Sequence, residues 1–464
     1  MSGNGAVIQR NLPGDGLSFE LQQTFPSAIG ASPYYYPWQA ASVSALPFTV
    51  VSQAGTGDFT DLQSALDSVG AGIFYVTGGY TVSTGLHNSA DGQIVIFEPG
   101  STVLFNTIGE NMIQVAEDAG NPPTTYYNFC KWIGYDVLIS GTNITNNVFD
   151  LATKYTGITG SITNVEIAGF YIDNNTDNGG TGNFVSGDVP ASAGGDAYGM
   201  LLQGQYVHDM VWIGGQYTRN GAVPFQFGLS RSRGERLYAD GTLIPSGSDY
   251  SLSHVRAGGG ANITSPNLVY GVTISDSVFI SNGTSGQVSE LQGTSGSPTV
   301  LTTISDITYS QCIFYSPSSG SVGAGSGGFE IDDNIQSGST NGVVNNVTFD
   351  HCQWHNITVS YQAAGSVFGY IKYNGQMPST SGTMTGRSPG SQVSISVGAS
   401  PFTYTNNDGI DEWVFVTAGT VSAIALDGVT VFAATGHAVY LHAGHYAVVT
   451  YSAAPTMSKQ GIGG

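Results

Sequence analysis

Two acids stand two positions apart in the segment GGFEIDDN: Glu330 and Asp332. Phe329 and Ile331 alternate with them, so in a β-strand both carboxylates leave the same face, with Cα atoms ~6.6 Å apart. Carboxylates separated by about 5–9.5 Å can serve glycoside hydrolysis as acid and base, or as acid and nucleophile. The plainer alternative is a solvated acidic turn running into Asp333 and Asn334. A basic group follows the same logic. Arg219, Arg231, Arg233 and Arg236 fall within 18 positions of a chain that has only 11 Lys and Arg, and Arg256 comes soon after. Guanidinium groups hold carboxylates through paired hydrogen bonds, so these arginines, with Glu235 among them, form a candidate ligand-binding set for a uronate or sialate. Asp196, Asp209, Glu235 and Asp240 offer the other outcome, neutralisation of the arginines within the protein or across a subunit interface. His437, His442 and His445 are the one histidine group. In the strand HAVYLHAG, positions 437 and 442 face opposite sides, so exposed turn histidines are expected there and no metal site. No Gly-rich phosphate loop, nucleophile elbow or Cys-based zinc spacing is present. No cofactor is expected, with calcium the one cation that the acidic excess could suit.

The elements that must position these residues repeat. VTISDSVFISNG from Val272, ITYSQCIFYSP from Ile307 and VTFDHCQWHNI from Val347 are clear copies of one pattern; VEIAGFYIDNN from Val165 and MVWIGGQYTRNG from Met210 are weaker ones. Each has apolar residues two apart, a polar or glycine break, and a second apolar group, which reads as strand, corner, strand. Irregular spacing (45, 62, 35 and 40 residues between starts) suits stacked coils with loops of varying length. The widest gap, 210 to 272, holds the arginines and is expected to be the loop-bearing face. Asn175, Asn220 and Asn282 close their copies and are expected to turn corners. Cys312 and Cys352 hold equivalent places and are expected as stacked, buried free thiols. Trp212, Tyr217, Phe279, Phe314 and Trp354 are core candidates.

Composition narrows the class. Among 464 residues there are 66 glycines and 25 tyrosines, only 9% are charged, and no apolar run approaches the ~20 residues of a spanning helix. A net charge of −21 disfavours nucleic acid as a partner, because phosphate neutralisation needs Lys and Arg. The start, MSGNGAVIQRNLPGDG, lacks the basic and apolar regions of a secretory signal, so release with a virion is the expected route outside the cell. Residues 1–48, with SPYYYPW, read as an extended arm that packs on another surface. In GDFTDLQSALDSVG, Thr60 and Gln63 suggest a capping box, Phe59, Leu62, Leu66 and Val69 an apolar helix face, and Gly70 the C-cap. Residues 49–385 then form an expected parallel β-helix, and short strands with turns every 8–12 residues over 386–464 suggest a β-sandwich.

The order of cap helix, Gly-Gly-Tyr turn and EPGS turn, with the segment from Gly194 to Gly221, resembles the pectin-lyase-like right-handed parallel β-helix superfamily, and viral tailspike proteins above all. The run from Ser400 to Met457 resembles a terminal module of phage structural proteins. The resemblance implies an all-β, homotrimeric virion appendage that recognises a host-surface polysaccharide, with cleavage of that glycan left open. A secreted polysaccharide lyase or hydrolase, and a structural decorating protein without ligand, are the alternatives.

Overall fold

The computed structural model describes residues 8–11, 18–21, 48–105, 113–114, 127–141, 148–151, 162–173, 184–187, 202–216, 218, 221–248, 250–257, 267–293, 302–317, 328–332, 342–362, 371–382, 392–406, 412–442 and 445–461. From Phe48 to Gly382 the chain winds as a parallel β-helix with three sheet faces. The first face includes Gly72–Val76, Leu202–His208, Arg233–Glu235, Asn267–Ser275, Thr302–Ser310 and Gly342–Asp350. The second includes Val211–Ile213, Tyr238–Asp240, Val278–Ile280, Ile313–Tyr315 and Gln353–His355. The third is a ten-stranded parallel sheet running from Leu86–His87 to Ser379–Gly382. Every coil contributes inward side chains to one continuous apolar core. Rings stack from coil to coil inside it: Phe279 on Phe314 at 5.7 Å, and Phe314 on Trp354 at 4.7 Å. Trp212 is fully buried as well, whereas Tyr217 lies outside the described residues.

Strand register tests the repeat directly. Val272, Ile307 and Val347 stack in line, and Val165 falls in the same column. The copy read from Met210 is displaced by five residues. Its true counterpart is Gln205, which is buried in the core position and donates from Nε2 to the Gln226 carbonyl (3.1 Å). A polar residue there hides the alternation. The gap between Met210 and Val272 also contains a full coil that the pattern passes over: Arg233–Glu235 on the first face, Tyr238–Asp240 on the second and Ser253–Arg256 on the third. Ser232, Gly234 and Ala239 fill the inward places of its first two strands without β-branched residues, so the strand signal there is weak. Arg233 and Arg236 are therefore placed by stacked strands and their corner, not by a loop.

Two corners between strands are continuous columns of left-handed residues. At the first, Gly92, Phe129, Asn164, Gly204, Arg231, Gly271, Asp306 and Asn346 succeed one another, all with positive φ. At the second the series is Gly100, Asp136, Gly169, Asp209, Arg236, Asp276, Gln311, His351 and Gly375. Glycine, Asn and Asp tolerate this region best, which explains most of the members. Second-corner amides donate to the next coil, as from Arg236 to the Ser275 carbonyl (3.0 Å) and from Gln311 to Asp350 (2.8 Å). Asn282 is not such a corner. Its Oδ1 accepts from Thr284 and Ser285 (both 3.0 Å), and Gly283 carries the positive φ. Asn175 and Asn220 lie outside the described residues.

The helix Leu62–Val69 closes the first coils with Leu62, Ala65 and Leu66 buried; each fully buried Leu contributes roughly 1.5–3 kcal/mol. Its N-cap is Asp61, not Thr60: the Asp61 carboxylate accepts from the Ser64 amide (2.8 Å). Gln63 turns instead to the first coil and accepts from the His87 amide (2.8 Å). Gly70 is the C-cap with φ 73, and the buried Gln93 amide donates to the orphan carbonyls of Leu66 and Gly70. Cys312 and Cys352 are stacked, buried and free; burial pushes the Cys312 thiol well above its usual range. At the N-terminus Ile8–Asn11 pairs antiparallel with Ser18–Leu21, while the Tyr-rich stretch 34–38 lies outside the described residues. From Val393 the chain forms two four-stranded antiparallel sheets around a separate core that includes Val414, Val416, Ile424, Leu441 and Val449.

Candidate functional site

Outward positions recur every second residue along a strand, so each face carries columns of side chains about 4.8 Å apart. On the third face one column runs Gln226, His254, Glu290, Glu330 and Ser360. Glu290 and Glu330 are direct partners in adjacent strands. Glu290 accepts from the Ser251 hydroxyl (2.9 Å), and its Oε2 lies 3.8 Å from His254 Nε2. Glu330 accepts from the Gln287 amide (2.7 Å), and Gln287 in turn accepts from Ser251 (2.8 Å). The site is recessed: Glu330 keeps 6% of its surface and His254 4%.

The sequence pairs Glu330 with Asp332 along the strand. Asp332 has Gln292 and Gln362 as its backbone partners, and its side chain is outside what is described. The stacking partner of Glu330, Glu290, escapes a linear reading because a whole coil separates the two. Aligning the third-face strands on their inward residues Val255, Leu291 and Ile331 would have set His254, Glu290 and Glu330 in one column.

On the first face a different column forms around the arginines. Lys131 Nζ lies 2.6 Å from Glu166, whose other oxygen is 3.1 Å from His208 Nε2. His208 Nδ1 lies 2.7 Å from Asp209, which also receives Arg236 Nε at 2.6 Å and Nη2 at 2.9 Å. Arg236 bridges onward to Glu235, and Glu235 pairs with Arg233 at 2.6 Å and accepts from the Tyr206 hydroxyl at 3.0 Å. Tyr206 is sandwiched, stacked on His208 at 4.3 Å with the Arg233 guanidinium 5.4 Å from its ring centre. Burial opposes ionisation of Glu166, but hydrogen bonds and charge from His208 and Lys131 win and hold its carboxyl near pKa about 2. Burial likewise opposes charging of His208, and Asp209 and Glu166 overcome it, raising its pKa. The same balance lowers Asp209, where Arg236 and His208 outweigh burial.

Of the arginine set, Arg233 and Arg236 thus join Glu235 in this network. Arg231 stands apart at the first corner, exposed, with its guanidinium 5.7 Å from the Tyr270 ring centre. Arg219 and Asp196 lie outside the described residues. Asp240 is buried and serves its own turn, accepting from the Thr242 amide (2.9 Å) and hydroxyl (2.6 Å). The three histidines of the sandwich have separate surroundings. His437 stacks on Phe432 at 4.0 Å, while the exposed His445 binds Asp427 at 2.6 Å beside His442. Among the described residues no group of three or more His, Cys, Asp or Glu is arranged to hold a metal ion.

No family model and no curated protein matches the chain. Solved structures do. The A-module of a mannuronan C-5 epimerase from Azotobacter vinelandii aligns over 70% of this chain and 90% of its own, at 12% identity and TM-score 0.31. A protein of Geobacillus virus E2, ORF18, aligns over 84% and 72% at 12% identity and TM-score 0.32. The tailspike protein of E. coli bacteriophage HK620, solved as a mutant with a hexasaccharide, aligns over 86% and 89% at 11% identity and TM-score 0.29. The β-helix assignment rests on the strand pairing itself.

Proposed function

We propose that this protein is a polysaccharide-recognising spike of a virion, and that Glu290 and Glu330 cleave the bound host-surface glycan. The observation that carries the reading is the stacking of these two acids on an outward column beside His254. Adjacent strands lie about 4.8 Å apart, close to the ~5–5.5 Å carboxyl separation of retaining glycosidases. In that mechanism one carboxylic acid gives its proton to the glycosidic oxygen as the C–O bond breaks, and the other carboxylate bonds to the anomeric carbon. Water then displaces the carboxylate and returns a proton to the first. No cofactor takes part. The burial of Glu330 favours a second reading, in which both acids only tie coils together through Ser251 and Gln287.

Glu290→Gln and Glu330→Gln separate the two. Release of reducing ends from host-surface polysaccharide should fall at least ~100-fold in each while melting is unchanged, as expected for loss of acid–base catalysis. Undiminished release per folded molecule supports the structural role. As a spike the protein would be a homotrimer, attached through residues 1–48 to other virion proteins, with many weak glycan contacts multiplied by assembly. It would have no nucleic acid partner and no membrane insertion, and no helix among the described residues is long and apolar enough to cross a membrane. Sedimentation at micromolar concentration should give a trimer; a monomer would contradict this assembly.

A further inference from the structure

We infer that the C-terminal sandwich carries a second glycan-binding site, built on an aromatic platform and separate from the acids of the β-helix. The strand Glu412–Thr417 lies between His437–Leu441 and Thr456–Gly461. Its inward residues Val414 and Val416 enter the sandwich core, so Trp413, Phe415 and Thr417 face outward. Cross-strand partners complete the surface: Tyr440 and Gln460 flank Trp413, and Ala438 and Ser458 flank Phe415. None of these outward positions is charged, in a chain whose formal charge is −21.

Single exposed rings are common, but adjacent rings rimmed by polar residues form the kind of patch that marks a binding site. Trp413 keeps 40% of its surface and Tyr440 38%. By contrast, Trp132, Trp212 and Trp354 are buried. The rings are also held. Tyr440 meets Trp413 edge-on at 5.5 Å and His442 at 5.0 Å, His442 neighbours His445 at 5.5 Å, and His445 is anchored on Asp427. A pre-set ring costs little ordering entropy on binding. Neutral rings rimmed by an amide and a hydroxyl match a neutral sugar chain, whose ring faces are C–H and whose edges are hydroxyls. The platform spans three strands, ~10 Å across. It fits a few sugar rings.

The test uses the full chain in native gels cast with neutral polysaccharides (dextran, galactomannan and hydroxyethylcellulose) and with alginate as the acidic probe. Retardation is expected in at least one neutral gel. It should weaken about tenfold in Trp413→Ala and in Tyr440→Ala, in line with loss of one stacked ring. Trp413→Tyr, which keeps a ring, should stay within about threefold of the parent, and Glu290→Gln with Glu330→Gln should not change it. That pattern holds the site apart from the β-helix reading, whichever way the cleavage assay falls. Absence of retardation in every neutral gel overturns the proposal, as does retardation that survives both alanine variants. A smaller sedimenting species for Trp413→Ala overturns it too, because the face would then be covered by a second copy.

Discussion

Two columns on the same β-helix use one stacking geometry to opposite ends. On the first face, coils bring unlike charges into register, from Lys131 through Glu166, His208, Asp209 and Arg236 to Glu235 and Arg233. On the third face, the register sets Glu290 directly on Glu330. Unlike pairs in adjacent strands stabilise; like pairs repel. The first arrangement locks four coils and leaves its arginines occupied by the protein's own acids. The second sets two acids side by side, each held by a neutral hydrogen-bond donor, and it is the arrangement on which the proposed cleavage rests.

The largest expected break in this contrast is the loss of at least ~100-fold in glycan cleavage for Glu290→Gln or Glu330→Gln, without a matching loss in melting temperature. The first-face network should answer the other way. His208→Ala removes one partner each from Glu166 and Asp209, which keep Lys131 and Arg236, and should cost about 1.5–3 kcal/mol in urea unfolding, the scale for hydrogen bonds to charged groups, with catalysis per folded molecule unchanged. Stability against pH sharpens the same point. Glu166 ionises far below its ordinary 4.5, so its contribution is present above pH 4.5 and lost as the pH falls toward about 2. His208 is raised above 6.5, so its contribution is present below 6.5 and lost as the pH climbs through the raised value. Both are in place between 4.5 and 6.5, and thermal melting should peak in that window, a peak that His208→Ala flattens. The smallest effect compares two left-handed arginines. Arg231→Gly should change stability by less than about 1 kcal/mol, since glycine suits the corner. Arg236→Gly should cost clearly more, because Asp209 and Glu235 each lose one of their partners.

The sequence shows the coils wherever core places are held by β-branched or aromatic residues, as at Val272, Ile307 and Val347. It misleads where a polar residue takes such a place, which is why Gln205 hides and Met210 substitutes for it. The coil of Arg233–Glu235 and Tyr238–Asp240 goes unseen for the related reason that small residues fill its interior. Of the candidate site, Glu330 is legible because its strand alternates cleanly. Glu290 and His254 are not, since their closeness to Glu330 is a fact of stacking and spans 40 and 76 positions of chain. The helix cap falls one residue beyond Thr60 because Thr60 and Asp61 are both competent caps, and only geometry selects the carboxylate.

The two corner columns have one more consequence. A left-handed residue at every turn of the winding acts as a mark that the chain must meet on each lap. Slipping by one position would bring Val165, Val272, Ile307 and Val347 into that backbone region, which β-branched residues resist, and would turn the inward set outward. The length of this molecule is therefore quantised. It can grow or shrink by whole laps, each adding ~4.8 Å of height, while changes of a residue or two are confined to the segments between the marks.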